Sequence, residues 1–485
     1  MSFSVAARVG RPRFHAVPSY RRAAALFLAF LLMAGAAPAV AQVSAEPAGT
    51  PDPVGPAGDP RALVADDWHR PPEDGVGVLP EDGGLDDLVR FALQHNPAVG
   101  AAFHRWRAAL ERAPQAKSLP DPQVSLGLVL DEVDRSTDYM GERYSISQLF
   151  PWFGTLGLRE DMAMSEAAAE ARRYDAARLE LVERVTSAWV EYAWLHEAVE
   201  TSRENLELLS RLEAVARTMY RAGTVSQADV NRAQVELGRL DDQLRSLTDM
   251  LGPAQAEINA VLGRPAHARL PRPLAPSRQG IGGLPQRDDE AWLALARDAN
   301  PELAARRHDA ERERHSVELA RKQYYPDFMF GVEYARNGSG RMAMMDGGGK
   351  DMLMGMISIN VPLRSARNDA GLREARSRLA AAGRQIHAEQ NTLESRLKMA
   401  LYAYRDGERR LQLYGGTLVP KARQSLASTE AAYRAGDAGF TDLIDTQRVL
   451  LEFQLAHERA AADRIRAQAS IYALVGDTNH EDSTQ

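Results

Sequence analysis

"YRAGTVSQADVNRAQ" (residues 220–234) and "YRAGDAGFTDLIDTQ" (residues 433–447) are two stretches of the same chain. Their Tyr, Arg, Gly and Asp residues are all 213 positions apart. Segments with a helical period precede and follow each stretch, and glycine readily ends a helix and reverses the chain. Each stretch therefore predicts a tight turn between two long helices. We call residues 219–232 the first tip and residues 432–445 the second tip.

The repeat extends well beyond the tips. Asn96-Pro97 returns as Asn300-Pro301 after 204 positions, and "VLG" at Val261 returns as "LVG" at Leu474 after 213 positions. Each copy contains a helical segment, a segment of strict alternation, a second predicted strand and a long helical hairpin. Repeats of this size indicate units that cannot bury their apolar faces alone.

These patterns divide the chain into six parts, listed here in order. They are a signal peptide (1–41), a Pro- and Gly-rich leader (42–83), a first repeat (84–263), a linker (264–288), a second repeat (289–476) and a C-terminal tail (477–485). The predicted β-hairpins span 119–151 and 324–362, and the helical hairpins turn near residues 223 and 436.

The N-terminus has the pattern of an export signal. Arginines precede the apolar run 23–37, and Ala39-Val40-Ala41 fits a cleavage site. A twin-arginine signal and a membrane anchor are the alternatives for this segment.

Composition excludes several classes of function. The 485-residue chain has a net charge of −7, which does not attract a polyanion, so nucleic acid is not expected as a partner. It contains 0 cysteines and therefore no disulfide. It has none of the metalloprotease, phosphate-loop or nucleophile-elbow motifs, so we predict that the protein is not an enzyme and needs no cofactor.

The alternating segments are the predicted strands. Alternation of apolar with small or polar residues in an exported protein is typical of transmembrane strands. Four strands cannot close a barrel, and open edges are not tolerated in lipid. Several chains would then have to share one barrel. The alternative is two soluble hairpins that pack on helices.

The order of elements resembles the TolC family of outer-membrane efflux factors. "LPDPQ" (119–123), "SQLFPWFGTLGLRE" (147–160) and the paired tips contribute to the resemblance, which covers about residues 85–476. It implies a mixed α and β fold: a trimeric transmembrane β-barrel with four strands from each chain, continued by a long periplasmic α-helical barrel. Segment 147–160 is most similar to the copper/silver-type heavy-metal efflux branch.

The resemblance also implies roles for the tips. Asp442 and Asp445 match the carboxylates that ring the periplasmic constriction, Asp229 matches an acid of the closing network, and Tyr433 matches a tyrosine that ties neighbouring helices. The usual basic partner is replaced by Ala438, so Arg434 or Arg221 is left as a substitute. Tip residues expected to contact an adaptor are Tyr220, Arg221, Gly223, Arg434 and Gly436. The alternative for the aspartates is that they are ordinary solvent-exposed acids of a helix with no role in a gate.

Methionine is concentrated near the last strand, and 6 of the 15 methionines are Met342, Met344, Met345, Met352, Met354 and Met356. The period of a strand places Met352, Met354 and Met356 on its polar face, which would be the lumen. Thioethers are ligands for Cu(I) or Ag(I), so a transient metal site is one interpretation. Simple filling of the lumen is the other.

The leading functional hypothesis is the exit duct of a tripartite efflux pump in the outer membrane. Its partners would be two further copies of the chain, a periplasmic membrane-fusion adaptor, a proton-driven inner-membrane transporter of the RND type, and lipid. The alternatives are an exit duct for type I protein secretion and a periplasmic coiled-coil scaffold without a pore.

Overall fold

The computed structural model describes residues 79–80, 83–128, 140–337 and 351–476. The predicted signal peptide, nearly all of the leader, the tail and the loops of both β-hairpins lie outside the described residues. So do Met342, Met344 and Met345.

The first repeat consists of short helices, a β-hairpin and a long helical hairpin. Its elements are α1 (Leu85–His95), α2 (Pro97–Leu110), α3 (Arg112–Lys117), β1 (Gln123–Leu128), β2 (Met140–Phe150), α4 (Thr155–Arg221) and α5 (Gln227–Val261). The 67 residues of α4 form one uninterrupted helix. At 1.5 Å per residue, such a helix is about 100 Å long.

The second repeat follows the same order with two differences: two helices and not three precede its β-hairpin, and a π turn interrupts its long helix. Its elements are α6 (Asp289–Ala299), α7 (Pro301–Lys322), β3 (Asp327–Asn337), β4 (Met352–Asn360), α8 (Ser365–Leu413), a π turn (Tyr414–Leu418), α9 (Val419–Ala435) and α10 (Phe440–Val475). The sequence predicted a long helical hairpin that turns near residue 436, and the structure interrupts its first helix at the π turn. Pro420 explains the interruption, because it has no N–H to donate to the carbonyl of Gly416.

An asparagine in the same position of each repeat links the start of the repeat to its end. Asn96 caps α2 by accepting from the Ala98 and Val99 amides, and its Nδ2 donates to the Val261 carbonyl at 2.6 Å. In the second repeat, Asn300 caps α7, and its Nδ2 donates to the Leu474 carbonyl at 2.9 Å. The first helices of each repeat are thereby joined to the end of its last helix.

The backbone conformation at the end of each repeat requires glycine. Gly263 and Gly476, 213 positions apart, have φ values of +72° and +82°. Side chains other than glycine's rarely adopt this region. A Cβ at Gly263 would also lie 2.9 Å from Cδ of Pro97.

Two compact units cut across the two repeats. One unit contains the strands of both hairpins, and the other contains the helices of both repeats. The strands form a 4-stranded antiparallel sheet in the order β1-β2-β3-β4. β1 and β4 are therefore its edge strands.

The sheet has two chemically different faces. The apolar face carries Val124, Leu126, Leu128, Tyr144, Ile146, Phe150, Phe328, Phe330, Val332, Tyr334, Leu353, Ile357 and Ile359. The opposite face, which we call the methionine face, carries Gln123, Ser125, Arg143, Ser145, Ser147, Met329, Glu333, Met352, Met354, Met356, Ser358 and Asn360. Much of the apolar face is exposed, with Leu126 at 59% and Ile357 at 68%. Apolar exposure of this extent marks a surface that another molecule or lipid covers.

The helical unit has separate cores in the two repeats and a shared core near the tips. Phe103, Trp106 and Tyr174 lie together in the first repeat, and Trp292, Leu397 and Ile471 lie together in the second. The shared cluster contains residues of α4, α5, α9 and α10. Among the residues described, no helix has the length and apolar character needed to cross a membrane.

Candidate functional site

Each tip is a tight, glycine-dependent helix end. Gly223 has a φ of +75°, and the Thr224 amide donates back to the Met219 carbonyl at 3.0 Å. Gly436 has a φ of +85°, and the Asp437 amide donates to the Ala432 carbonyl at 2.9 Å. Nothing lies within 4 Å of a Cβ built on either glycine. Backbone conformation, and not lack of space, therefore requires glycine at both tips.

The repeated aspartates cap the helices that leave the tips. Oδ2 of Asp229 accepts from the amide and the hydroxyl of Ser226, at 3.2 and 2.9 Å. Oδ2 of Asp442 accepts from the amide of Gly439 at 3.1 Å. Both are the third residue of their helix, where a carboxylate satisfies a free amide and interacts favourably with the helix dipole. This local role, which the sequence reasoning missed, has a signal in "SQAD" (226–229).

The structure brings Tyr433 of the second tip near Asp229 of the first. Tyr433 is 2% exposed and packs against Phe440 with ring centroids 5.5 Å apart. Among the described residues its hydroxyl has no hydrogen-bond partner. Burial raises the pKa of the Tyr433 hydroxyl above its ordinary value, and the carboxylate of Asp229 raises it further. A neutral hydroxyl in this position can donate to an acceptor that approaches it.

Arg434 and Arg221, the predicted substitutes for the missing basic residue, form no hydrogen bond or ion pair between the two tips among the described residues. Arg434 pairs with Glu430 of its own helix at 2.5 Å, and Arg221 is exposed and forms no ion pair with any described residue. A different arginine makes the crossing: Nη1 of Arg232 on α5 donates to Oγ1 of Thr441 on α10 at 2.5 Å. Arg232 lies 213 positions before Asp445, so aligned positions of the repeats carry opposite charges. That reversal was the available sequence signal.

An ion network lies just beyond the tips. Asp445 is exposed and lies 3.6 Å from Nη1 of Arg448. Arg448 also donates from Nε to Glu236 of α5 at 3.0 Å, and Glu236 accepts from Arg239 as well. Glu236 is 3% exposed. The hydrogen bond from Arg448 is the largest cause of its lowered pKa, and Arg239 adds to it against the opposing effect of burial, so the pKa of Glu236 is about 2.

A buried amide network continues the connection along α4 and α10. Nδ2 of Asn205 donates to Oε1 of Gln454 at 3.0 Å, and Nε2 of Gln447 donates to Oδ1 of Asn205 at 3.2 Å. Asn205 and Gln447 are buried. Polar groups out of water hold their partners in defined positions, because an unpaired group is costly there.

The methionine residues of β4 share one face, as predicted. Met352, Met354 and Met356 lie opposite Ala335, Glu333 and Gly331 of β3. All three thioether side chains are exposed. Among the described residues, no group of three or more His, Asp or Glu side chains could hold a metal ion.

Together, the tips present carboxylates and buried polar links where two helical hairpins meet. Two helix ends of similar geometry are joined by bonds between the repeats. The bonds between the repeats hold the two helix ends together, and the aspartates give them negative charge.

Comparison with known proteins matches the chain twice to one family model, described as outer membrane efflux protein, at residues 88–264 and 292–477. The chain is 24% identical over 457 residues to the pyoverdine export outer membrane protein OpmQ of Pseudomonas putida, covering 86% of this chain and 92% of OpmQ. It is 22% identical over 412 residues to the cobalt-zinc-cadmium resistance protein CzcC of Cupriavidus metallidurans, covering 83% of this chain and 93% of CzcC.

The fold also matches a solved structure, the outer membrane protein VceC of Vibrio cholerae. The TM-score is 0.66 at 20% identity, over 81% of this chain and 96% of VceC. The relatives have different printed roles, so they do not single out the heavy-metal branch. The two family matches coincide with the two sequence repeats. The chain therefore belongs to the outer membrane efflux protein family and lies in the outer membrane, with its helical part in the periplasm.

Proposed function

We propose that three copies of this chain form one transmembrane channel, with the three sheets joined edge to edge into a twelve-stranded β-barrel and the helices continued as a periplasmic tunnel. The observation that supports this most is the sheet itself. It has an exposed apolar face, a polar opposite face and edge strands β1 and β4 at its two sides. Pairing of β4 with β1 of the next chain would satisfy the edges that lipid does not tolerate.

The channel would serve as the passive exit duct of a tripartite efflux pump. Members of this family are channels and not enzymes. A periplasmic adaptor would contact the exposed tips, including Tyr220, Arg221 and Arg434 beside Gly223 and Gly436, and connect them to a proton-driven inner-membrane transporter. Two tips per chain give six helix ends in a trimer, which suits a ring-shaped partner.

The tips would form the gate. Asp442 and Asp445 are one helical turn apart and share a face of α10. Three chains would place six such carboxylates around the opening, where they attract cations and repel anions. Tyr433 and Asp229 would help to close it, and the raised pKa of the buried Tyr433 hydroxyl, to which the Asp229 carboxylate contributes, supports this role.

The substrate class that we propose is heavy-metal cations such as copper or silver. The exposed methionines of β4 support it, because weak thioether contacts let a soft cation bind and leave. The resemblance of segment 147–160 to metal-efflux channels also supports it. Export of a siderophore or of a secreted protein would use the same duct, so the substrate is tested separately from the channel.

The channel is tested by electrical recording. Purified protein is added to planar lipid bilayers, and discrete single-channel currents are expected because a pore would cross the membrane. A scaffold without a pore would give no current, even at protein concentrations at which protein is found in the bilayer. Absence of current from inserted protein would contradict the proposed function.

A further inference from the structure

The helical unit carries an exposed group of aromatic side chains that the proposed function leaves unused. Trp152 stacks on Tyr325 with ring centroids 5.0 Å apart, and Phe153 lies 5.6 Å from Trp152. Phe153 is 75% exposed and Tyr325 is 49% exposed. We call Trp152, Phe153, Tyr324 and Tyr325 the aromatic cluster. Exposed rings that lie against one another indicate a surface that another molecule covers.

The chain ties the aromatic cluster to the ends of two strands. Trp152 is the second residue after β2, which ends at Phe150, and Tyr325 is the second residue before β3, which begins at Asp327. Two residues of chain span at most about 7 Å. These are the strand ends that continue into helices, and the helical part of the chain lies in the periplasm. Aromatic side chains of membrane proteins are enriched at this level, where the membrane meets water.

A lysine without an acidic partner borders the aromatic cluster. Nζ of Lys322 lies 5.9 Å from the ring centroid of Tyr325. A Cβ built on Gly154, at the start of α4, would lie 3.5 Å from the same Nζ. Lys322 forms no ion pair with a described residue, whereas its neighbour Arg321 pairs with Glu318 at 2.7 Å. The ammonium group is therefore left to interact with an anion from outside the chain.

The first repeat has a lysine in the same place, but its charge is already paired. Lys117 is the last residue of α3, and Lys322 is the last residue of α7. These helices precede β1 and β3, the first strands of the two repeats. Nζ of Lys117 lies 2.9 Å from Oε2 of Glu160. The two lysines thus provide a matched comparison between a paired and an unpaired cation.

Two exposed arginines add positive charge beside Lys322. Nδ2 of Asn368 donates to the carbonyl of Gln323 at 3.0 Å, which joins the start of α8 to the end of α7. Arg364 and Arg367 are within about one helical turn of Asn368. Both are exposed, and neither forms an ion pair with a described residue. In a chain with a net charge of −7, such a local excess of cations favours an anionic partner.

The carboxylate nearest to the aromatic cluster on α8 is already engaged. The hydroxyl of Tyr324 donates to Oδ1 of Asp369 at 2.5 Å. This hydrogen bond is the largest cause of the raised pKa of the Tyr324 hydroxyl, which the charges of Arg373 and Arg376 lower in turn. Two arginines therefore lie near this one acid. The surface around Tyr324 stays positive.

We propose that the aromatic cluster and Lys322 bind an anionic phospholipid of the periplasmic leaflet, with Nζ of Lys322 paired to the lipid phosphate and the exposed rings against the upper part of the acyl chains. This inference rests on the proposed transmembrane sheet and adds a lipid site outside the pore. A phospholipid matches both parts of the surface, because it carries a phosphate next to hydrocarbon. The outer membrane supplies it at the level where the strands end.

The first test measures lipid binding by native mass spectrometry of the full-length protein in mild detergent. Phosphatidylglycerol should bind more tightly than phosphatidylethanolamine, which has no net charge. Lys322→Gln removes the charge and should lower the affinity for phosphatidylglycerol about fivefold, whereas Lys322→Arg should retain it. Lys117→Gln is the control and should leave it unchanged.

Three outcomes of this measurement would overturn the lipid site. They are equal affinities of the wild-type protein for the two lipids, equal losses in Lys322→Gln and Lys117→Gln, and displacement of the lipid by inorganic phosphate at the same concentration. The last result would show an anion site that gains nothing from hydrocarbon.

The second test uses the fluorescence of Trp152. The full-length protein is reconstituted into vesicles of phosphatidylethanolamine and phosphatidylglycerol, with bromine, which quenches nearby indoles, on the upper acyl chains of one lipid at a time. At equal mole fractions, brominated phosphatidylglycerol should quench more strongly, and the difference should be lost in Trp152→Phe and in Lys322→Gln. Absence of quenching that depends on Trp152 would show that protein, such as a second copy of the chain, covers the aromatic cluster, and would overturn the lipid site.

The two lipid tests do not require conduction, so they separate the lipid site from the channel. A protein that conducts in planar bilayers but fails both lipid tests would overturn the lipid site and leave the channel standing. A protein that binds phosphatidylglycerol through Lys322 but gives no current would support the lipid site and contradict the proposed channel.

Discussion

Arg448 of α10 donates its Nε–H to Glu236 of α5 at 3.0 Å, and this pair joins the second repeat to the first just beyond the tips. Glu236 is buried, whereas the Arg448 side chain is 48% exposed. Neither residue has a charged counterpart in the other repeat, since the aligned positions are Val449 and Val235. The link is therefore a property of the whole chain and not of the repeated unit.

This link should make the tips sensitive to acid. The pKa of Glu236 is lowered to about 2 in the folded protein, so its contribution to stability is present above the ordinary glutamate pKa, about 4.5, and is lost as pH falls towards 2. The protection factors of amides in residues 440–450, which correct for the intrinsic pH dependence of amide exchange, should fall across that window. In Glu236→Gln these protection factors should already be lower at pH 7, by about fivefold, and should depend less on pH. An identical pH dependence in both proteins would contradict this account.

The crossing bond at the tips should stabilise the closed gate. Arg232→Ala removes the hydrogen bond to Thr441, and we expect channel openings in planar bilayers to become about twofold to fivefold more frequent. Arg434→Ala is the matched control, because that arginine pairs with Glu430 of its own helix. A larger effect from the control than from Arg232→Ala would show that the missing base at Ala438 is replaced by Arg434 instead.

The carboxylates of the second tip should set ion selectivity. The double change Asp442→Asn and Asp445→Asn removes the charges, while asparagine retains an oxygen that can accept from the Gly439 amide and cap α10. The reversal potential in an asymmetric salt gradient should shift towards weaker cation preference, and block by multivalent cations should diminish. The control removes two exposed acids of α5, Asp249→Asn and Glu257→Gln. Equal shifts in both variants would place the selective charges elsewhere.

The methionines of β4 should affect metal tolerance if their sulfur takes part in transport. Deletion of the gene should sensitise cells to copper or silver more than to detergents or dyes. Changing Met352, Met354 and Met356 together to Leu keeps apolar volume and removes the thioethers, so tolerance should fall at matched trimer levels. Met399→Leu, an exposed methionine of α8, is the control. Full copper tolerance in the triple variant would show that these side chains only fill space.

Much of the fold was predictable from the sequence because local chemistry determines it. Strict alternation predicted β1 to β4, and the structure confirms these strands. Asn-Pro pairs and glycines predicted helix starts and ends, since caps and positive φ angles depend on a few neighbouring residues. The π turn also had a local signal in "GGTLVP" (415–420), although a periodic helical pattern concealed it.

The links between the repeats could not be predicted in the same way. Arg232–Thr441 and Arg448–Glu236 join residues about 210 positions apart. Which polar side chains meet across two helices depends on their rotation and relative height, and sequence periodicity fixes neither. Asp229 and Asp442 show the opposite case: the repeat identified them, and the structure adds a capping role that explains why both copies keep an acid.

The central claim is that a sheet with two edge strands becomes a closed wall only when three chains join. Native mass spectrometry of the protein extracted from outer membranes in mild detergent tests it most directly, because the mass counts the chains in the complex. The account predicts a complex of three chains that separates into single chains on heating. A single chain in the membrane extract, or a monomer in the soluble periplasmic fraction, would contradict it.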